Sequence, residues 1–144
     1  MEMEEHKKEW IKLNGAWCQI DEECVDWVLL FNKVGLTTKF CCHGEDTADN
    51  NYMIMFHEDV MDEQINEFLL KYPKMWGFFK WTRSGGPSCE VLYHNWMFRP
   101  FTKKYAKDIF ENLYDNYEDM KAIIDTLRDG YELINMSEAD KLWK

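Results

Sequence analysis

Residues 21–42, DEECVDWVLLFNKVGLTTKFCC, predict a helix followed directly by a strand, and this pair sets the fold class. Asp21 is a good N-cap, because its carboxylate can accept a hydrogen bond from an orphan amide of the first turn. Gly35 is expected to end the helix in the left-handed conformation. Residues 36–42 are β-branched and alternating, which is typical of a strand. The helix should pack firmly through a wide apolar stripe, formed by Cys24, Val25, Val28, Leu29, Phe31 and Val34.

The other predicted strands form hairpins. Residues 52–57, YMIMFH, predict a strand that pairs with residues 36–42 across a polar loop. Residues 77–83 and 89–98 predict a second hairpin around the turn SGGPS. A short apolar segment at 17–20, WCQI, is expected to be the first strand.

Three further helices are predicted. Residues 59–72 have apolar side chains at helical spacing, and a proline directly after them limits extension. Residues 102–128 keep the helical period over their whole length, and Gly130 follows as a cap. A weak capping box predicts a last short helix, and its members are Ser137 and Asp140.

Without the last short helix, these elements have the order β-α-β-β-α-β-β-α. Because hairpins alternate with helices, we predict an α+β protein, a two-layer sandwich with a mainly antiparallel sheet and its helices on one face. The chain has no internal repeat, low-complexity tract or linker. Residues 1–144 are therefore expected to form a single domain, with 1–9 and 131–144 at its periphery.

Charge is distributed unevenly along this acidic chain. The 144 residues have a net charge of −10, and a hydrophobic content of 46% excludes a disordered protein. Residues 21–67 contain twelve acids against two lysines, whereas residues 68–107 contain eight bases against one glutamate. Such segments favour faces of opposite potential, unless folding interleaves them and cancels their fields. The candidate acidic surface consists of Glu45, Asp46, Asp49, Asp59, Asp62 and Glu63.

The motif CCHG at residues 41–44 raises the question of a metal site or a reactive thiol. Zinc ligands usually come in pairs two to four residues apart, and adjacent strand residues face opposite sides of a sheet. Nearby acids would also raise a thiol pKa, which disfavours catalysis by cysteine. We therefore expect free thiols, no cofactor and no enzymatic activity. A zinc-dependent enzyme remains an alternative, with candidate ligands Cys41, His43, His57 and Cys89.

A second possible site lies in the basic segment, where bases alternate with aromatic residues such as Trp76 and Phe79. Aromatic rings can stack on a base while cations neutralise phosphate. This pattern suggests a module that sequesters a nucleotide second messenger. Its candidate residues are Lys80, Trp81, Arg83, Trp96 and Arg99.

The sequence favours a cytoplasmic protein that does not engage a membrane. It has no apolar run of the length that a transmembrane helix needs. Residues 1–10, MEMEEHKKEW, lack the apolar core of a signal peptide.

Residues 25–57 resemble small proteins encoded by bacteriophages and prophages of Gram-positive bacteria. Those proteins similarly have a helix ending in L-N-x-x-G, a strand with T-x-x-C-C, and then Y-I-x-F. Here His43 precedes Gly44, whereas such proteins more often place histidine after the glycine. The matching positions are Leu30, Asn32, Gly35, Thr37, Thr38, Cys41, Cys42, Gly44, Tyr52, Ile54 and Phe56.

The resemblance implies a phage origin and hence the cytoplasm of a host cell. For an acidic phage protein without a catalytic constellation, we expect a binding role in host takeover or against host defence. The expected partner is a host protein with a basic surface, such as a nucleic-acid-binding protein, which the acids would steer into contact. Direct binding to DNA is not expected.

Overall fold

A computed structural model describes residues 8–13, 15–42, 52–85 and 90–135. Within these ranges the chain forms seven strands, four helices and a 3-10 turn at Glu22–Cys24. The strands are β1 (Lys8–Leu13), β2 (Ala16–Asp21), β3 (Thr38–Cys42), β4 (Tyr52–Phe56), β5 (Phe78–Gly85), β6 (Glu90–Phe101) and β7 (Leu133–Asn135). The helices are α1 (Val25–Lys33), α2 (Asp62–Lys71), α3 (Lys103–Asn116) and α4 (Glu118–Asp125).

The strands form two antiparallel sheets. The larger sheet has the order β3-β4-β6-β5, and the smaller one has the order β2-β1-β7. In the larger sheet Phe78 lies opposite Phe98, which lies opposite Ile54 on the next strand. Because strand side chains alternate between faces, this row of apolar residues belongs to one face, the face that packs on α1.

Phe31 of α1 is the centre of an aromatic core. Its ring is fully buried and contacts five other rings, which come from α1, α2 and three strands of the larger sheet. The centroid distances are 5.1 Å to Trp27, 4.9 Å to Phe56, 6.2 Å to Phe68, 6.0 Å to Phe78 and 5.4 Å to Phe98. The buried indole of Trp27 also donates a hydrogen bond to the backbone oxygen of Ala106 at 3.0 Å, which ties α1 to α3.

The α+β prediction is confirmed. The predicted helix after Asp21, the hairpin of residues 36–42 with 52–57, and the hairpin of residues 77–83 with 89–98 are all present with small shifts at their ends. Gly35 ends the first helical segment with a φ of 90°, as the sequence predicts. The second predicted helix begins at Asp62, where the Gln64 side chain accepts a hydrogen bond from the Met61 amide at 2.8 Å.

The predicted single helix over residues 102–128 is wrong, because it breaks at Tyr117. This residue has an extended backbone, with φ −132° and ψ 113°, and it separates α3 from α4. Its ring packs edge-on against Tyr72 at 5.1 Å, and its hydroxyl accepts a hydrogen bond from the Lys74 amide at 3.3 Å. Contacts with residues far away in the sequence therefore override a locally consistent helical period.

The smaller sheet was not foreseen beyond its strand β2. β1 is its middle strand, with Trp10 opposite both Gln19 and Ile134. Lys8 and Glu9, expected at the periphery, are the first residues of β1, and residues 133–135 form β7. Ser137 and Asp140, where a last helix was predicted, lie outside the described residues. Among the described helices, none combines the length and apolar character that crossing a membrane requires.

We expect Phe31→Ala to lower the free energy of unfolding by about 3–5 kcal/mol, because it removes the ring at the centre of the core. Phe79→Ala, which truncates the same residue type on the surface, should cost less than about 1 kcal/mol. Urea denaturation followed by circular dichroism measures both. Equal losses would contradict this assignment of the core.

Candidate binding surface

Four exposed aromatic residues lie in contact with one another on the surface. Each of these side chains is 41–47% exposed although large and apolar, and we call the set the aromatic surface: Trp76, Phe79, Phe101 and Tyr105. The ring centroid of Trp76 lies 6.5 Å from that of Phe101 and 5.6 Å from that of Tyr105, and Phe79 lies 6.0 Å from Phe101. A contiguous exposed apolar patch of this kind typically marks an interaction site.

Two strands, one helix and one connecting segment bring these rings together. Phe79 lies in β5, and Phe101 is the last residue of β6. Tyr105 lies in the first turn of α3, where its amide donates to the hydroxyl of the N-cap Thr102 at 3.1 Å. Trp76 belongs to the segment between α2 and β5.

The backbone of Gly77 lies close to that of Arg99 and Pro100, the two residues before Phe101. Gly77 has a φ of 91°, and a Cβ at this position would lie 3.4 Å from backbone atoms of Arg99 and Pro100. Its carbonyl accepts a hydrogen bond from the Arg99 amide at 2.7 Å. This close approach brings Trp76 beside the end of β6.

Phe101 itself has a φ of 74°, in the left-handed region that bulky side chains avoid. Such a conformation costs about 1–2 kcal/mol for a residue with a Cβ. Strained backbone conformations cluster at active sites and ligand-binding segments. The strain therefore supports a role for this ring outside the core.

Charged side chains of both signs lie close to the aromatic surface. The guanidinium of Arg99 lies 6.0 Å from the ring centroid of Phe101, within range of a cation–π interaction. Lys104 is exposed and precedes Tyr105. Asp108 is also exposed and lies three residues after Tyr105, on the same side of α3.

The residues of the predicted nucleotide site lie on both faces of the larger sheet. Lys80 lies opposite Trp96 in the register. Both contact Asp62, whose carboxylate accepts hydrogen bonds from the Trp96 indole at 2.8 Å and the Lys80 ammonium at 3.0 Å. Trp81 alternates to the other face, the face of Phe79.

The remaining two residues of that prediction also lie apart from Lys80 and Trp96. Arg99 lies over Phe101. Arg83 lies opposite Tyr93 in the backbone register, and its side chain is outside the described part of the chain. The structure thus brings Lys80 and Trp96 together with an acid and separates them from Trp81 and Arg99.

Three members of the predicted acidic surface are within the described ranges. Glu63 is exposed, and Asp59 is exposed beside the imidazole of His57, with a carboxylate–Nδ1 distance of 3.2 Å. Asp62 is occupied by Trp96 and Lys80, and the hydrogen bond from Trp96 lowers the pKa of its carboxyl. The other three members, Glu45, Asp46 and Asp49, lie outside the described residues.

The acidic and basic segments meet at Asp62, which pairs with Lys80. The ion pair of Glu58 with Lys39 lies within the acidic segment, residues 21–67. The hydrogen bond from Lys39 lowers the pKa of Glu58 to about 2. At Asp62 folding interleaves the two charged segments, as the alternative interpretation of the charge pattern allowed.

Two of the four candidate metal ligands lie in the described ranges. Cys41 packs against the core, whereas His57 follows β4 and accepts a hydrogen bond from the Asp59 amide at 3.2 Å. In the described part of the chain, no three or more His, Cys, Asp or Glu residues are grouped so as to hold a metal ion. His43 and Cys89 lie outside that part.

Comparison with protein families identifies the chain as a prophage protein. The family model described as YoqC prophage protein matches residues 8–133. The chain therefore belongs to the YoqC prophage protein family. No curated protein and no solved structure matches it. The phage origin implied by residues 25–57 is confirmed, whereas the motif itself stays a prediction.

Sequence reasoning found part of the aromatic surface. Trp76 and Phe79 belong to the basic aromatic segment, which the sequence singled out as a possible site. Phe101 and Tyr105 were missed because they lie at predicted element boundaries, where the direction of a side chain depends on tertiary contacts. The available signal was their position close to Arg99 and the lysines at 103–104.

We expect Asp62→Ala to lower the free energy of unfolding more than Glu63→Ala, its exposed neighbour, because only Asp62 accepts bonds from Trp96 and Lys80. Its lowered pKa stabilises the fold above the ordinary value of 3.8, and this contribution is lost as pH falls through the lower folded-state pKa. The difference in the free energy of unfolding between wild type and Asp62→Ala should thus be constant near neutral pH and become smaller below pH 3.8. Urea denaturation at several pH values would test this, and a difference that grows with acid would contradict it.

Proposed function

We propose that this prophage protein is a non-catalytic binding protein that docks on a basic host protein through the aromatic surface. The observation that carries the proposal is the contact between four large rings that are all partly exposed. Most of the surface of these rings is apolar, so a partner that covers them gains apolar burial, provided that it also hydrogen-bonds the Trp76 indole N–H and the Tyr105 hydroxyl. Occupation of a host protein in this way is a means of host takeover or of blocking a defence.

The arrangement of the rings favours a protein over a nucleic acid as partner. The planes of Phe79 and Phe101 meet at 66°, those of Trp76 and Tyr105 at 71° and those of Trp76 and Phe101 at 31°. Two of the three contacts are thus far from the parallel arrangement in which successive bases stack on a series of rings. Tryptophan and tyrosine are also enriched among the residues that dominate protein–protein binding energy. A net charge of −10 repels a phosphate backbone at long range.

Charge supports a basic partner. The overall negative charge attracts a positive surface and raises the rate of encounter. Near the surface, a partner's arginine or lysine can lie over the exposed ring of Trp76 or Tyr105, in the way that Arg99 lies over Phe101. Attraction at a distance and aromatic contacts at short range thus favour the same class of partner.

The alternative, sequestration of a nucleotide second messenger, has weaker support. The hydrogen bonds of Asp62 to Trp96 and Lys80 engage two of its five residues. A phosphate at Lys80 would have to displace a carboxylate that already neutralises the cation.

We expect Trp76→Ala and Tyr105→Ala each to weaken binding by a factor of about 30 or more, as truncation of a hot-spot residue does. The control is Leu70→Ala, since Leu70 is 82% exposed, lies on α2 and is not one of the residues of the aromatic surface. Host proteins retained by the immobilised wild-type protein are identified by mass spectrometry, and the purified partner is then titrated against each variant. Equal affinity for wild type and both ring variants, with folding intact, would refute the aromatic surface.

Phe101→Gly separates binding from stability. Glycine adopts a positive φ without strain, whereas alanine keeps the Cβ that causes it. The thermal midpoint of Phe101→Gly should therefore be at least as high as that of Phe101→Ala. Binding should nevertheless be lost to a similar extent in both variants, because both remove the ring. Thermal unfolding and titration of the partner give the two quantities. Retained binding in Phe101→Gly would mean that the ring does not contact the partner.

We expect the association rate to fall steeply as salt rises from low to physiological ionic strength, because electrostatic steering is screened. Stopped-flow measurements with the purified partner give this dependence, and the dissociation rate should change much less. An association rate independent of salt would refute a basic partner, while leaving the test of the rings unaffected.

A further inference from the structure

Two cysteines from distant parts of the sequence meet inside the fold. Cys24 ends the 3-10 turn directly before α1 and is fully buried. Cys41 lies in β3 opposite Ile54, which is fully buried, and is itself half-buried against the same core. The two cysteines are seventeen positions apart in the sequence, yet both lie where the start of α1 covers the larger sheet.

Tyr52 fixes this arrangement. It lies two residues from Ile54 on β4, so its side chain shares the face of Cys41. The phenol is buried and donates a hydrogen bond to the backbone oxygen of Glu23, the residue before Cys24, at 2.8 Å. The start of α1 is therefore held against β3 and β4 at the position of the two thiols.

The two thiols interact with each other. A hydrogen bond between their side chains raises the pKa of Cys24 and lowers the pKa of Cys41. A backbone hydrogen bond from Asp21 also lowers the pKa of Cys41. Cys41, the more accessible of the two, is thus also the one whose thiolate is stabilised.

We propose that Cys24 and Cys41 are a redox-active pair that closes to a reversible disulfide on reaction with a small-molecule disulfide. This pair shares no residue with the aromatic surface, so the proposal does not depend on the proposed binding function. Its co-reactant is the oxidised form of a low-molecular-weight thiol, such as glutathione disulfide.

The reaction proceeds by two exchanges. The Cys41 thiolate attacks one sulfur of the small disulfide, a mixed disulfide forms, and the first small thiolate leaves. Cys24 then attacks the Cys41 sulfur, the second small thiolate leaves, and the protons of the two cysteine thiols end on the two small thiols. Two cysteines are oxidised and one small disulfide is reduced to two thiols. The product links the start of α1 to β3.

The test uses the full chain, incubated with glutathione disulfide, alkylated, and mapped by peptide mass spectrometry without reduction. We expect one intramolecular crosslink between the peptides of Cys24 and Cys41, which dithiothreitol removes, and a higher thermal midpoint in the oxidised form. Crosslinks that use Cys18, Cys42 or Cys89 in place of this pair would overturn the proposal, as would a chain left fully reduced. Zinc that co-purifies with the protein and prevents alkylation of both thiols would also overturn it.

Variants assign the order of attack. Cys24→Ala should stop at a mixed disulfide of glutathione with Cys41, whereas Cys41→Ala should give neither product at Cys24. Cys18→Ala is the matched control, because Cys18 lies on β2, and it should form the crosslink as wild type does. Circular dichroism verifies folding first, and the wild-type map decides the question even if a variant fails to fold. A glutathione adduct on Cys24 in Cys41→Ala would overturn the assigned order.

Discussion

The packing of α1 on the larger sheet is the interaction on which the rest of the structure depends. Phe31 lies among rings from α1, α2 and three strands, and Trp27 adds a hydrogen bond that extends the contact to α3. Aromatic side chains bury large areas and prefer edge-to-face contacts, which is how most of these rings meet. One helix thereby orients the sheet, α2 and α3 around a single core.

This packing also explains which rings remain at the surface. Strand alternation directs Phe78 and Phe98 toward α1, and it directs Phe79 to the opposite face. There Phe79 contacts Phe101, which contacts Trp76, and Trp76 in turn contacts Tyr105. On the face of α1, Asp62 binds Trp96 and Lys80 and satisfies groups that a ligand could otherwise have used. The alternation of side chains along β5 thus places Phe78 in the core and Phe79 in the aromatic surface.

The thiol pair follows from the same constraint. Cys24 is at the start of α1 because the helix begins there, and Cys41 faces it because alternation on β3 turns this residue inward. Alternation predicted from the sequence that Cys41 and Cys42 have different surroundings. It did not identify Cys24 as the partner of Cys41, since that contact depends on where α1 lies.

Local patterns in the sequence determined the α+β class, helix α1 with its end at Gly35, and the two hairpins of the larger sheet. These features depend on neighbouring residues: hydrophobic period, caps and turn residues act within a few positions. Tertiary structure alone decided the break at Tyr117, the place of β1 and β7 in a second sheet, the pairing of Asp62 with Lys80, and the meeting of Trp76 with Tyr105. Each of these depends on contacts between residues far apart in the chain, whose free energy no local pattern contains.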